Sequence, residues 1–168
     1  LPPGGQIFYS SYSINKSKWF YLNSLVSEKH KGPNKFIDDL EINLSESIKR
    51  QANTEVPTCI FYSGGLDSSL VTHYSMKTNQ NIKLFSFLPE SITSSNKDVL
   101  NAYERAKLLG ANKFEYLHFE NKSVVQYLDN FLSNLYEPTA DAAIIPTLFM
   151  SEIAKSQGFK VVLTGDGA

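Results

Sequence analysis

The run Ser63-Gly64-Gly65-Leu66-Asp67-Ser68-Ser69 combines two glycines, three serines and one carboxylate between an apolar segment and a helical pattern. The glycines let the backbone turn sharply and approach a ligand without a Cβ in the way, and the serine hydroxyls can donate hydrogen bonds to phosphate oxygens. The helix that follows points its free amides and the positive end of its dipole at the same place. The run therefore predicts a phosphate-binding loop, against the alternative of a serine and glycine turn that only caps a helix.

Asp67 is unexpected in such a loop, because a carboxylate repels a polyphosphate unless a cation lies between them. Magnesium resolves the conflict, since it prefers oxygen ligands from carboxylates and phosphates. Asp67 is therefore the candidate metal ligand. No lysine follows the glycines, and the three spaced glycines of the dinucleotide fingerprint are missing, so the loop is neither of those two phosphate-binding motifs.

Further acidic residues occur in two later segments. Glu137 and Asp141 flank a proline-containing turn and could bind the amino group of a substrate or a metal, but acidic loop residues are equally typical of solvated turns or helix caps. Asp166, between two glycines, follows an apolar strand, which favours a role in the site over a simple turn.

Strand and helix patterns alternate from residue 57 onward. We predict strands at 58–62, 82–88, 114–119 and 160–164, and helices at 66–77, 97–109, 123–135 and 146–156. A helix over 34–52, with Asn34 as its N-cap, precedes them. Four strands separated by helices predict an α/β fold with an open, doubly wound parallel sheet. The aromatic and polar alternation of the first thirty residues predicts an N-terminal hairpin or meander with its turn at 13–16.

Composition limits the class of protein. The chain has 168 residues, 42% hydrophobic residues and a formal net charge of -1, without the basic surface that nucleic-acid binding needs. No apolar run could span a bilayer, so we expect no membrane partner. The single cysteine, Cys59, lies in an apolar run and fits a buried residue in a cytoplasmic protein. The opening residues, which lack a methionine, suggest an internal piece of a larger protein.

Three segments carry a resemblance to a known family. The run 63–69 resembles the pyrophosphate loop of the adenine-nucleotide alpha-hydrolase superfamily, in the variant found in glutamine-hydrolysing asparagine synthetases. Residues 136–147 are similar to that family's acidic and proline-containing loop, and 160–168 to its last strand and glycine-rich loop. The opening 1–5 resembles the segment that closes the family's glutaminase domain. By this resemblance, residues 1–33 are the end of a glutaminase domain with a linker, and 34–168 the first part of the ATP-binding synthetase domain.

The resemblance implies a function. The chemistry would be ATP-dependent amide synthesis: adenylation of a carboxylate, with aspartate as the default acid, release of pyrophosphate, and displacement of AMP by ammonia. Asp67 and Asp166 become the catalytic candidates, and ATP and Mg²⁺ the cofactors. The implied contacts to ATP and pyrophosphate come from Ser63, Gly64, Gly65, Leu66, Asp67, Ser68, Ser69, Phe87, Leu88, Thr164 and Gly165. Glu137 and Asp141 become substrate-binding candidates.

Some residues depart from the family pattern, chiefly Tyr136 and the pair Ala142-Ala143 on the substrate side. They leave open another acid, such as a polysaccharide sugar acid or a β-lactam precursor, or a non-catalytic nucleotide-binding fragment. The resemblance implies that ammonia comes from a glutaminase domain. It also leaves a homodimer open as the assembly. The isolated piece is expected to bind nucleotide at best.

Overall fold

The computed structural model describes residues 3–18, 32–91, 97–133, 139, 141 and 143–166. The chain divides into two compact units, Leu1–Ile42 and Asn43–Ala168. The predicted domain boundary between residues 33 and 34 is nine residues earlier than this division, and the assignment of the first segment to a glutaminase domain stays a prediction.

The order of strands and helices in the described residues agrees with the predicted alternation. In chain order they are β1 (Gly5–Ser10), β2 (Ser13–Lys18), α1 (Pro33–Ala52), β3 (Thr58–Phe61), α2 (Leu66–Thr78), β4 (Lys83–Pro89), α3 (Lys97–Leu108), β5 (Phe114–Phe119), a 3-10 helix (Asn121–Ser123), α4 (Val124–Ser133), α5 (Ile144–Ser156) and β6 (Val161–Leu163).

Strands β1 and β2 form the predicted N-terminal hairpin, but its turn lies earlier than expected. The strands pair antiparallel with Ser10 opposite Ser13, so the segment 13–16 is strand and the turn is at Ser11 and Tyr12. The physical reason is local: the Ser10 hydroxyl accepts a hydrogen bond from the Ser13 amide at 3.1 Å and closes a two-residue loop. The predicted turn at 13–16 was therefore wrong.

The second unit contains a four-stranded parallel sheet in the order β5-β4-β3-β6. The chain moves outward from β3 to β4 and β5, and then returns to the opposite side of β3 to form β6. The direction of winding thus reverses between β3 and β6. In open α/β sheets this reversal leaves a crevice at the carboxyl ends of the two strands, where ligands bind. The predicted doubly wound parallel sheet is confirmed.

The sheet is covered on both faces because successive strand residues point in opposite directions. Ile60 and Leu84 face a core that contains Val71 of α2 and Ala106 of α3; the end of α1 joins it. The opposite face carries a second cluster of Cys59, Phe61, Phe85, Leu117 and Ala154, the last from α5. Both faces of β3 are therefore buried, which explains why residues 58–61 read as a continuous apolar run.

Two helix starts differ slightly from the prediction. Helix α1 begins at Pro33, and the Phe36 amide already donates to the Gly32 carbonyl at 3.2 Å, so Asn34 lies inside the first turn and is not the N-cap. Helix α5 begins at Ile144, two residues before Pro146. Proline is accepted in a first helical turn because its missing N–H would have no helical partner there.

Within the described ranges, none of the helices combines the length and the apolar composition that crossing a membrane requires.

Candidate functional site

A cavity of about 420 Å³ opens at the carboxyl ends of β3 and β6, where the winding of the sheet reverses. It is built from the loop after β3, the start of α2, the end of β4, the start of α5 and the loop after β6. Its lining residues are Phe61, Tyr62, Ser63, Gly65, Asp67, Ser68, Phe85, Ser86, Phe87, Ala143, Pro146, Thr147, Met150, Thr164, Gly165 and Asp166. The residues on the side of α2 and β6 are mostly polar, and those on the side of β4 and α5 are mostly apolar, with Ser86 and Thr147 as the polar exceptions.

The N-terminus of α2 faces this cavity without a side-chain cap. Gly65 is the N-cap residue, with extended backbone angles and without a side-chain cap hydrogen bond. The Ser63 hydroxyl accepts a hydrogen bond from the Gly65 amide at 3.2 Å and lies 3.0 Å from the Ser68 hydroxyl. Amides and hydroxyls therefore converge at the positive end of a thirteen-residue helix, which is the chemistry of an anion site.

Gly64 turns the chain from the strand into this loop. Its φ of 77° lies in the left-handed region, which other residues rarely adopt. A Cβ at Gly64 would also stand 3.0 Å from both Cα and Cβ of Ala102, so α3 packs directly under the loop. Arg105, one turn further along α3, donates a hydrogen bond from Nη1 to the Gly64 carbonyl at 2.8 Å.

The loop after β6 packs equally closely on the start of α2. A Cβ at Gly165 would lie 2.6 Å from the Ser68 amide nitrogen and 3.1 Å from Asp67 Cβ. Only a glycine permits this approach without a shift of the backbone. The contact brings Thr164 and Asp166 to the same cavity as Asp67.

The opposite wall of the cavity is apolar and aromatic. Phe87 packs edge-on against Phe149 of α5, with ring centroids 6.2 Å apart, and lies 5.5 Å from the ring centroid of Phe119. Pro146 and Met150 complete this wall from α5. A flat apolar ring could be held here while attached anionic groups extend towards α2.

The structure brings together most of the predicted site residues. Ser63, Gly65, Asp67, Ser68, Phe87, Thr164, Gly165 and Asp166 all line the cavity. Gly64, Leu66, Ser69 and Leu88 are not among its lining residues. Leu66 is 74% exposed. Ser69 Oγ lies 3.2 Å from the hydroxyl of the buried Tyr62, and this hydrogen bond connects α2 to the end of β3.

Asp141 is placed at the start of α5 and is not part of the cavity lining. Its Oδ1 accepts a hydrogen bond from the Ala143 amide at 2.9 Å, a local turn of the aspartate type just before α5, whose own N-cap residue is Ala143. The substrate-binding role predicted for Asp141 stays a prediction. Glu137 lies outside the described residues, as do Tyr136 and Ala142.

Sequence reasoning missed two contributions to the site. One is the set of α5 residues Pro146, Thr147 and Met150, which share one helix face; α5 is apolar on several sides, so its periodicity did not show which face meets the sheet. The other is Arg105, whose contact with Gly64 joins residues 41 positions apart, and no local pattern marked it.

Three described groups have a pKa that departs from its ordinary value, and none of them lines the cavity. Burial raises the pKa of the Cys59 thiol to about 11, against a smaller lowering effect of Lys83. A hydrogen bond from Lys83 lowers the pKa of the Glu115 carboxyl, opposed by partial burial and supported by Gln157. Burial, followed by the hydrogen bond to Glu152, raises the pKa of Tyr127 to about 12. These groups are structural, and the buried Cys59 is confirmed as a core residue.

The carboxylates of Asp67 and Asp166 are the acidic groups on the cavity wall. The described residues contain no group of three or more histidine, cysteine, aspartate or glutamate side chains placed to hold a metal ion. The donor set suits a cation such as Mg²⁺, which commonly binds through one or two carboxylates and completes its shell with substrate phosphates and water.

These features define an α/β protein of the adenine-nucleotide alpha-hydrolase fold. The U34-tRNA thiolase NcsA from Methanococcus maripaludis has this fold; it matches 88% of the present chain and 51% of its own, with a TM-score of 0.55 and 13% sequence identity.

Residues 39–168 match the asparagine synthase family, and the chain belongs to that family. An asparagine synthetase of Arabidopsis thaliana is 28% identical over an alignment that covers the whole chain and 30% of the relative. A putative glutamine-hydrolysing asparagine synthetase of Mycobacterium bovis is 28% identical over 78% of the chain and 20% of the relative. The family predicted from the motifs is thus confirmed, and the chain spans about a third or less of the curated relatives it matches.

Proposed function

We propose that this chain supplies the ATP-binding part of an enzyme that makes an amide from a carboxylic acid and ammonia. In the first step a carboxylate oxygen bonds to the α-phosphorus of ATP, and the bond from that phosphorus to the bridging oxygen of pyrophosphate breaks. In the second step ammonia bonds to the acyl carbon, AMP leaves, and a proton is lost from nitrogen. Family membership supports the reaction class.

The observation that carries the proposal is that one side of the cavity carries hydrogen-bond donors suited to anions and the other side is largely apolar. The uncapped start of α2, with Ser63 and Ser68, provides donors for the β- and γ-phosphates. The wall of Phe87, Pro146 and Met150 provides a surface for adenine. Stabilisation of the leaving pyrophosphate by fixed donors lowers the barrier without a side-chain nucleophile.

Asp67 is the residue that would hold Mg²⁺ beside the phosphates. Its carboxylate lines the cavity next to the amides and hydroxyls of the loop, so a cation is needed between it and a bound polyphosphate. The ion would neutralise charge on the pyrophosphate. Asp166 follows Gly165 in the loop after β6 and lines the same cavity as Asp67. It is therefore the second catalytic candidate.

Aspartate is the proposed acid, and Glu137 and Asp141 are the proposed contacts to it. Ammonia would come from a glutaminase domain, which is consistent with the glutamine-hydrolysing asparagine synthetases among the relatives of this chain. A cytoplasmic site of action is proposed because the chain has a single cysteine, which suits a reducing compartment. One observation favours another acid as the second candidate: Ala143, a departure from the family pattern, lies in the cavity wall, where a change of side chain alters what fits.

The test is the release of pyrophosphate and AMP by the full-length protein supplied with ATP, Mg²⁺ and ammonia, with and without aspartate. We expect both products and asparagine only when aspartate is present. If nucleotide binds but aspartate has no effect, a panel of carboxylic acids, including sugar acids, decides the second candidate. A protein that binds no nucleotide contradicts the proposal.

A further inference from the structure

Arg105 of α3 contacts the phosphate-binding loop from the side away from the ligand space. Its Nη1 lies 2.8 Å from the Gly64 carbonyl oxygen, in a partly buried hydrogen bond. Ala102, three residues earlier on the same helix face, lies so close that a Cβ added to Gly64 would stand 3.0 Å from its Cα and Cβ. Helix α3 thus supports the loop by one steric contact and one charged hydrogen bond.

The hydrogen bond determines the direction of the next peptide N–H. In a trans peptide the carbonyl and the following N–H point in opposite directions. The Gly64 carbonyl points to Arg105, and the Gly65 N–H accordingly points to Ser63 Oγ, at 3.2 Å. Ser63 and Gly65 line the cavity, whereas Gly64 is not among the lining residues.

Gly64 makes such a restraint necessary. Glycine gains the left-handed angle of 77° at the cost of greater backbone freedom, so the Gly64–Gly65 peptide can rotate more easily than its neighbours. A rotation would aim a carbonyl oxygen at the phosphates in place of an N–H. A guanidinium on the Gly64 oxygen opposes that rotation, and a hydrogen bond with a charged donor is stronger than a neutral one.

We propose that Arg105 is a positioning residue that keeps the Gly65 N–H on the cavity side of the loop, where it holds the Ser63 hydroxyl in place for the phosphates. This inference rests on the proposed function, which identifies the ligand as a polyphosphate. It means that Arg105, a residue outside the cavity lining, contributes to the affinity for that ligand. The adenine wall on β4 and α5 does not depend on this contact. Loss of Arg105 should therefore weaken the binding of pyrophosphate and ATP selectively.

The experiment compares the full-length wild type with Arg105→Met, Arg105→Lys and Lys107→Met by calorimetric titration of pyrophosphate and ATP with Mg²⁺, and of AMP. Lys107→Met removes the same charge from the same helix, on an exposed side chain. We expect Arg105→Met to weaken pyrophosphate and ATP binding about fivefold, the effect of one partly exposed hydrogen bond with a charged donor. AMP binding and the control variant should match the wild type, and Arg105→Lys should recover part of the loss.

A second measurement needs no ligand. Amide hydrogen exchange at Gly65 should be faster in Arg105→Met than in the wild type and unchanged in Lys107→Met. If the Met variant does not fold, Arg105→Gln takes its place with the same expected results. Three results would each overturn the inference. Arg105→Met could weaken the binding of AMP and pyrophosphate equally, or leave pyrophosphate binding unchanged. Arg105→Lys could bind pyrophosphate no more tightly than Arg105→Met. A wild type that binds none of the three ligands overturns the proposed function instead, and with it the ligand assignment on which Arg105 depends.

Discussion

Gly165 lies so close to Ser68 that a Cβ on Gly165 would stand 2.6 Å from the Ser68 amide nitrogen. The two residues belong to the loop after β6 and to the first turn of α2, which are almost a hundred positions apart in the chain. Their contact holds the two polar loops of the cavity together. It follows that the shape of the cavity depends on the absence of a side chain at Gly165.

Gly165→Ala should destabilise the protein and weaken nucleotide binding. The added Cβ overlaps backbone atoms of Ser68 and Asp67, which cannot move away by a change of rotamer. Gly165 is not among the glycines with a positive φ, so the cost is steric. We expect a loss of about 1–3 kcal/mol in the free energy of unfolding, typical of overpacking. Urea denaturation measures it.

Gly65→Ala is the matched control for that stability measurement. The φ of Gly65 is -74°, which any residue adopts, and its Cβ would meet only the Ser63 hydroxyl, at 3.3 Å. Its free energy of unfolding should change by no more than about 0.5 kcal/mol. Equal destabilisation by the two variants would show that the contact between Gly165 and Ser68 has no special weight.

Asp67→Asn should remove the dependence of ATP binding on magnesium. The wild type is expected to bind ATP on the order of tenfold more tightly with Mg²⁺ than with a chelator, equivalent to about 1.4 kcal/mol. The variant should bind metal-free ATP at least as tightly as the wild type, because it no longer places a negative charge beside the phosphates. Titration calorimetry with and without Mg²⁺ measures both effects.

Asp129→Asn on α4 provides the control, since Asp129 is exposed and absent from the cavity lining. It should retain the magnesium dependence of the wild type. The metal assignment of Asp67 fails if the Asp67 and Asp129 variants respond to Mg²⁺ alike.

Glu115→Gln should lower stability at neutral pH and have a smaller effect in acid. Lys83 Nζ lies 2.5 Å from Glu115 Oε2, and this contact lowers the pKa of Glu115 in the folded state below its ordinary value of 4.5. A lowered pKa contributes stability that is fully present above the unfolded pKa and is lost as pH falls through the folded pKa. We expect a loss of about 0.5 kcal/mol at pH 7, as for a partly exposed ion pair.

Urea denaturation at a series of pH values from 7 to 3 measures this difference, since urea does not screen charges. The curves of the wild type and the variant should approach each other below pH 4.5, the ordinary pKa of the group. A difference that stays constant through this range would mean that Glu115 acts by packing and not by charge.

Cys59 should be unreactive in the folded protein. Its side chain is fully buried, and burial raises the pKa of its thiol to about 11, so little thiolate exists at pH 8. A thiol-reactive chromophore should label the native chain very slowly and label one thiol per chain after denaturation in urea. Labelling of the native protein at the rate of the unfolded chain would contradict the buried position.

Much of the fold could be predicted because its signals are local. The strand over residues 114–119 and the start of α2 at Leu66 were predicted at the observed positions, since an apolar run and a helical period depend only on neighbouring residues. The turn of the hairpin was misplaced, because serine and asparagine, which favour turns, occur both in 10–13 and in 13–16, and only the bond from the Ser13 amide to the Ser10 hydroxyl distinguishes the two.

The sequence by itself determined the family and the alternation of strands and helices, and it predicted that residues 63–69 form the loop that enters the cavity. Only the tertiary structure decided that the winding reverses between β3 and β6, that Gly165 packs against Ser68, and that Arg105 binds the Gly64 carbonyl. The physical reason is that local periodicity follows from chain stereochemistry, whereas contacts between distant residues follow from how helices and strands pack.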